Sequence, residues 1–250
     1  MKMWLVLRSL AFYCGYVVIV GFFSALAFTV GLLLPQAPRQ TLATTANALV
    51  VAWLRLCCGV KLRVEGLENI PARPFVALSK HQSSWETYYL QRLLRPVSTV
   101  LKRELLRIPF FGWGLAVVAP IAIDRGNPRE ALRQVMQQGR ERLDAGMNVL
   151  LYPEGTRIDL GTSAPKFNRS GAALAIAAGV PVLPVCHNAG ACWPAHRFIK
   201  YPGTITLVFG KPIPTIGRDA KSVTNEVTEW MNATLMRLTG QPGQAPGAMI

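Results

Sequence analysis

Acidic residues are scarce in this chain of 250 residues: 13 Asp and Glu stand against 27 Lys and Arg, for a formal charge of +14. A nucleic-acid binder would account for the charge, but the chain lacks the interleaved aromatic and basic residues of such a surface, and its mean hydropathy is positive, +0.28. Both features fit a protein that lies on an anionic membrane and handles anionic substrates. Histidine is rarer still, with three residues. His187, His196, Cys186 and Cys192 have no zinc-ligand spacing, so a metal centre finds no support. There is no Gly-x-Ser-x-Gly elbow for a serine hydrolase and no phosphate-binding P-loop. The five cysteines (Cys14, Cys57, Cys58, Cys186, Cys192) are odd in number and two are adjacent, which excludes a secreted disulfide framework and points to a reducing compartment.

Charge is absent between Arg8 and Arg39, and residues 10–34 are almost wholly apolar. That run is long enough to cross a bilayer. Lys2, Arg8 and the small residues Ala25 and Ala27 also fit a signal peptide, but the apolar run continues past them, which favours an anchor. A second uncharged stretch, residues 40–54, contains Thr41, Thr44, Thr45 and Asn47 and is too short to span as a straight helix. It is expected to be interfacial or re-entrant, so that residues 1–58 form a membrane-anchoring two-helix segment.

From residue 59 the pattern alternates. Apolar strands are expected at 62–64, 75–78, 97–101, 117–123, 149–152, 180–185 and 204–209. Helices are expected from the cap Asn127 and Pro128 to Gly146, over 170–178 before Gly179, and over 223–238. Helices between apolar strands imply an α/β domain over 59–239 with a largely parallel central sheet flanked by helices. Residues 240–250, rich in Gly, Pro and Gln, read as a disordered tail.

Ligands of open α/β sheets bind at the carboxyl ends of strands, and His81 follows the expected strand 75–78. His81 and Glu86 are five residues apart, about 140° apart on an ideal helix, and so could not meet if both were helical. If His81 sits on the loop and Ser83 caps a helix, Glu86 falls in the first turn and can reach back to the imidazole. The carboxylate would fix the ring tautomer and stabilise the imidazolium, making the other nitrogen a better base near neutral pH. The plainer reading is a capping box, Ser83-x-x-Glu86, in which Glu86 satisfies a backbone N–H. Lys102, Arg125 and the run Pro153-Glu154-Gly155-Thr156-Arg157 follow the next three strands. Gly155 lets backbone N–H groups approach a ligand, Thr156 offers a hydroxyl, and Arg157 a fork suited to phosphate. Cys186 and His187, adjacent on a strand, point to opposite faces and read as structural.

His81-Gln82-Ser83-Ser84-Trp85-Glu86 resembles the H-x-x-x-x-D/E motif of the glycerolipid acyltransferases. Ile121-Ala122-Ile123-Asp124-Arg125, Tyr152-Pro153-Glu154-Gly155-Thr156-Arg157 and Val180-Pro181-Val182-Leu183-Pro184-Val185 resemble that family's other three blocks, in its order. The bacterial 1-acyl-sn-glycerol-3-phosphate acyltransferases are the branch most resembled. The resemblance implies that His81 is the base and Glu86 its partner, that Lys102, Arg125 and Arg157 bind phosphate, and that Glu154, Gly155 and Thr156 serve the acceptor. It implies acyl-CoA or acyl carrier protein as co-substrate with no bound cofactor or metal, a lysophospholipid acceptor, and a bacterial inner membrane with the catalytic domain on the cytoplasmic face. Glu86 replaces the commoner Asp, adding a methylene. Lys80 stands where Asn is common, a cation that could depress the basicity of His81 or contact a CoA phosphate. An acyl groove is expected from Phe110, Phe111, Trp113 and Val182, which also fit ordinary core or membrane-facing packing. Other acceptors, glycerol 3-phosphate or lyso-ornithine lipid, and a non-catalytic lipid-binding protein remain as alternatives.

Overall fold

The computed structural model describes residues 2–240, apart from 73 and 163–165. The expected tail beyond Gly240 lies outside the described residues. Two long helices come first, α1 (Lys2–Thr29) and α2 (Gln36–Cys58), joined by a 3-10 turn, Gly31–Leu33. They are followed by β1 (Val60–Glu65), β2 (Val76–Ser79), α3 (Trp85–Leu93), β3 (Val97–Lys102), α4 (Phe111–Val117), β4 (Ile121–Ile123) and α5 (Pro128–Asp144). The chain closes with β5 (Asn148–Leu151), α6 (Ser170–Ala178), β6 (Val182–His187), β7 (Gly203–Phe209) and α7 (Ala220–Thr239). The seven strands form one sheet in the order β1-β7-β6-β2-β5-β3-β4. Every pairing is parallel except β6 with β7.

The central strands are buried on both faces, so their alternate side chains feed two cores. Ala77, Leu150, Leu183 and Val185 point toward α2 and α3, where they meet Trp85, Tyr88, Val50 and Leu54. Val76, Leu78, Val149, Leu151 and Val182 point the other way, into a core closed by α5, α6 and α7 with Val135, Leu174 and Met231. Local signals set the helix ends. The side-chain oxygen of Asn127 accepts the N–H of Glu130 at 3.2 Å with Pro128 in the first turn, and α6 and α7 end on the left-handed Gly179 and Gly240. Asp219, accepting the N–H groups of Lys221 and Ser222, starts α7 three residues before the expected boundary.

Two expectations need correction. The apolar run 117–123 is not one strand: α4 ends at Val117, Ala119 turns with φ +54, and only Ile121–Ile123 pair with β3. Pro120 breaks the run, and the turn is held because Ser98 and Arg142 both donate to the carbonyl of Ala119, at 2.6 and 3.2 Å. The second apolar stretch is also longer than its uncharged part. Over 23 residues α2 includes Arg39 and Arg55, and it is long and apolar enough to cross a membrane by length and composition. Charge does not end a helix, and Arg39 folds aside to donate to the carbonyls of Gly31 and Leu34 at 3.1 and 2.8 Å.

The inner faces of α1 and α2 belong to the domain core. Phe12 is fully buried against Trp193, and Val50, Leu54 and Cys58 share the cluster of the central strands. Gln40 donates to the carbonyls of Val97 and Val118, at 2.8 and 3.1 Å, and accepts the N–H of Val97 at 3.2 Å. Asn47 donates to Gln91 at 3.1 Å, and the hydroxyls of Tyr16 and Tyr88 lie 2.6 Å apart. Gln40, Thr44 and Asn47, the buried polar residues of α2, thus lie on its docking face against the sheet domain. Helix α1 turns Trp4, Leu7, Leu10, Val17, Val18 and Phe22 outward.

Candidate active site

Strand β2 delivers Lys80 and His81 to the carboxyl edge of the sheet, and α3 begins four residues later. His81 therefore lies on the loop and Glu86 in the first turn. His81 Nδ1 stands 2.9 Å from Glu86 Oε1. The same oxygen accepts the N–H groups of Gln82 at 3.0 Å and Ser83 at 2.9 Å. Capping and the contact with His81 thus coexist in one carboxylate, while Ser83 Oγ accepts the N–H of Trp85 at 3.0 Å. Burial alone would raise the Glu86 carboxyl, but the imidazoles of His187 and His81 and the Ser83 N–H outweigh it and hold the group below the usual carboxylate range. A carboxylate can only accept, so Nδ1 carries the ring proton and Nε2 is left with its lone pair. The ring stacks on Tyr152, centroids 4.0 Å apart and planes at 17°, and 12% of the His81 side chain stays exposed.

The loop after β5 wraps this imidazole. Glu154 Oε2 accepts the N–H of His81 at 2.7 Å, and the His81 carbonyl accepts the N–H of Ile158 at 2.8 Å. Between these points Gly155 takes φ +71, a left-handed value that suits glycine, and exposes the tip of the loop. Glu154 itself is buried against the sheet edge, where the ammonium of Lys80 pairs with it. Burial raises the Glu154 carboxyl, and Lys80 acts against that rise. The side chain expected to serve an acceptor therefore supports the main chain of His81. Lys80, almost wholly buried, is turned away from solvent and toward Glu154.

The cations are spread along the rim. Arg125 donates to the carbonyl of Gly155, which ties β4 to the loop tip where Gly155 and Thr156 are exposed. Arg157 is half-buried, with its Nε shielded and without a hydrogen-bond partner among the described residues. Lys102 is exposed, its ammonium 3.6 Å from Glu104.

A cleft of about 280 Å³ opens beside Arg157, Ser84 and Thr87 and runs between α1, α2 and α4, past Val20, Ala27, Ala43 and Phe111. Of the expected groove residues only Phe111 lines it. At the surface Trp113 packs on Phe110 and on Phe28, with centroids 4.8 and 5.2 Å apart. Val182 lies in the opposite core, on the far side of the sheet. Sequence reasoning missed the walls that α1 and α2 supply, for which the small residues Ala27, Ala43 and Ala46 were the only signal. His187, read as structural, is fully buried at the carboxyl end of β6. Among the described residues no cluster of His, Cys, Asp and Glu is placed to hold a metal ion.

A family model described as Acyltransferase matches residues 61–188, which include the His81 loop, Arg125 and the 152–158 loop. The chain belongs to that family and is an acyltransferase. Among individual proteins, it is 44% identical over 237 residues to a 1-acyl-sn-glycerol-3-phosphate acyltransferase of Pseudomonas aeruginosa, covering 93% of this chain and 92% of that one. To the human 1-acyl-sn-glycerol-3-phosphate acyltransferase beta it is 28% identical over 213 residues, covering 82% and 76%. The crystal structure of the 1-acyl-sn-glycerophosphate acyltransferase PlsC from Thermotoga maritima shares the fold, with a TM-score of 0.80 at 23% identity over 97% of this chain and 99% of that one.

Proposed function

We propose that this acyltransferase moves a fatty acyl chain from an acyl thioester, acyl-CoA or acyl carrier protein, to the free hydroxyl of 1-acyl-glycerol 3-phosphate, giving phosphatidate. The observation that carries the reading is the His81–Glu86 pair, 2.9 Å apart, at a rim that also holds Arg125, Arg157 and the mouth of an apolar cleft. The Pseudomonas and human relatives, named for that reaction, support the choice of acceptor.

His81 Nε2 takes the proton of the acceptor hydroxyl as its oxygen attacks the thioester carbon. Glu86 Oε1, holding Nδ1–H, stabilises the imidazolium that forms. Collapse of the tetrahedral intermediate breaks the C–S bond, and the imidazolium returns its proton to the departing thiolate, so no acyl-enzyme forms. Thiolates leave readily, and the remaining work is alignment of two amphiphiles. Arg157, whose buried Nε–H at the cleft mouth has no partner among the described residues, and Arg125, at the loop tip, carry the positive charge that meets the acceptor phosphate. The cleft between α1, α2 and α4 takes an acyl chain. The outward apolar face of α1 lies in the membrane, on the cytoplasmic side where the donors are made.

The test is acceptor-dependent thiol release from a long-chain acyl-CoA by the detergent-solubilised protein. Lysophosphatidate should stimulate release in the parent, and His81→Ala should lower it by about 1,000-fold or more. Equal release with and without acceptor would make the protein a thioesterase, and an active His81→Ala would dismiss the base.

A further inference from the structure

His187 ends β6 with its imidazole fully buried beneath the Lys80–His81 peptide, and no step above employs it. Both ring nitrogens are committed. Nδ1 accepts the N–H of Ala189 at 3.2 Å, so it carries a lone pair. Nε2 lies 3.0 Å from the carbonyl of Lys80, which can only accept, so the proton resides there. Protonating the ring would set an N–H at Nδ1 against that of Ala189, and burial pushes the same way, holding the imidazole below its usual range. The neutral Nε2–H tautomer follows.

The other groups around the ring are accounted for. Trp85 presents a tilted ring with its centroid 6.3 Å away, Lys80 directs its ammonium to Glu154, and His81 lies beyond the carboxylate. Glu86 is different. Its Oε1 is in use three times over, whereas Oε2 is buried with no hydrogen-bond partner among the described residues and lies 4.0 Å from His187 Nε2. At 4.0 Å, with the Nε2–H given to the Lys80 carbonyl, no hydrogen bond joins the two, and the ring acts on Oε2 through the dipole of its N–H edge.

We infer that His187 is a positioning residue of this active site: its Nε2–H anchors the Lys80 carbonyl, and so the main chain entering His81, and turns its donor edge to the free oxygen of Glu86. The inference rests on the reading of His81 as base. The backbone of His81 is then clamped from three sides, by His187 on the preceding carbonyl, Glu154 on its N–H and Ile158 on its own carbonyl. The donor edge also tempers Glu86. Without it the carboxylate becomes more basic, binds the imidazolium more strongly, and draws the titration of the pair to higher pH.

The test measures kcat and KM for acyl-CoA and lysophosphatidate against pH in the full-length protein, for the parent, His187→Leu, His187→Gln and His81→Ala. His187→Leu should lower kcat by about 10- to 100-fold, as loss of a supporting hydrogen bond does, with KM nearly unchanged and the acid limb of kcat/KM moved to higher pH. Gln, whose amide N–H can reach the Lys80 carbonyl, should restore most of the rate and the position of the limb. A His187→Leu enzyme with parental rate, or one whose lost rate comes without movement of the limb and is not restored by Gln, would overturn the inference and leave His187 as packing. If the Leu variant does not fold, the same contrast is read between Gln and the shorter Asn, which cannot reach that carbonyl. An active His81→Ala would remove the base itself, and the inference with it, an outcome separate from any result at His187.

Discussion

Lys80 and Glu154 show how much a single position decides here. Glu154 is buried and accepts the N–H of His81, so its charge needs a partner inside the protein, and Lys80 supplies it. Lys80→Met should therefore destabilise the chain by about 3–5 kcal/mol, because it strands a buried carboxylate. Lys80→Met with Glu154→Gln should regain most of that loss, since the amide oxygen can still accept the His81 N–H. Thermal unfolding in detergent of the two variants checks this, and a double variant no more stable than the single one would refute it. A second residue-scale effect follows from His187 and Glu86, both with ionisation held below the ordinary range. For a depressed group the stabilisation is full above the unfolded value and is lost as pH falls toward the folded one. His187 thus contributes fully above about pH 6.5 and progressively less below it, and Glu86 adds its own loss below about pH 4.3. Tm should fall more steeply for the parent than for His187→Gln between pH 7 and 5, and parallel curves would count against a neutral buried ring. The His81–Glu86 pair was legible because a loop–helix junction with a capping pattern leaves few places for the carboxylate. The Lys80–Glu154 pair was not, because it depends on how the ends of β2 and β5 lie side by side.

At the scale of the element, apolar runs bounded by turn residues located most of the strands, and period-2 alternation over the two cores explains why those runs are continuous. The run 117–123 misled because composition marks burial, and burial is common to the end of α4 and to β4. Pro120 was the readable signal. The cleft was illegible for a related reason: its walls come from α1 and α2, whose apolar residues read as lipid-facing, although one side of each helix packs on the domain. Ala43 lies on that inner wall beside Thr44 and Ala46, with Phe111 across the cleft. Ala43→Phe should shorten the cleft without touching the His81 loop. The expected result is a loss of kcat/KM for long-chain donors, about 10-fold for each two or so methylenes left outside at about 0.8 kcal/mol each, with short-chain donors nearly unaffected. Equal losses for all chain lengths would indicate a general disturbance and dismiss the cleft as the acyl site.

For the whole molecule, the net charge of +14 and the outward face of α1 act on a membrane in different ways. Electrostatic attraction is screened within about 10 Å at 0.1 M salt, whereas burial of apolar surface is not weakened by salt. The inner faces of α1 and α2 are engaged with the domain through Phe12, Gln40 and Asn47, so the pair is expected to lie in the membrane by its outer face. Flotation with phosphatidylcholine vesicles after detergent removal should show binding that survives 0.5 M salt, and adding anionic lipid should add a fraction that salt removes. Val18→Glu with Phe22→Glu forfeits about 1.5–3 kcal/mol of burial per side chain, so it should weaken the salt-resistant binding by about 100-fold or more while leaving the salt-sensitive increment in place. Complete release by salt would reduce the attachment to charge alone. Parental binding by the double variant would show that this face of α1 is not the one in contact with lipid, and the cleft mouth, which opens beside the same helix, would need another route to its substrates.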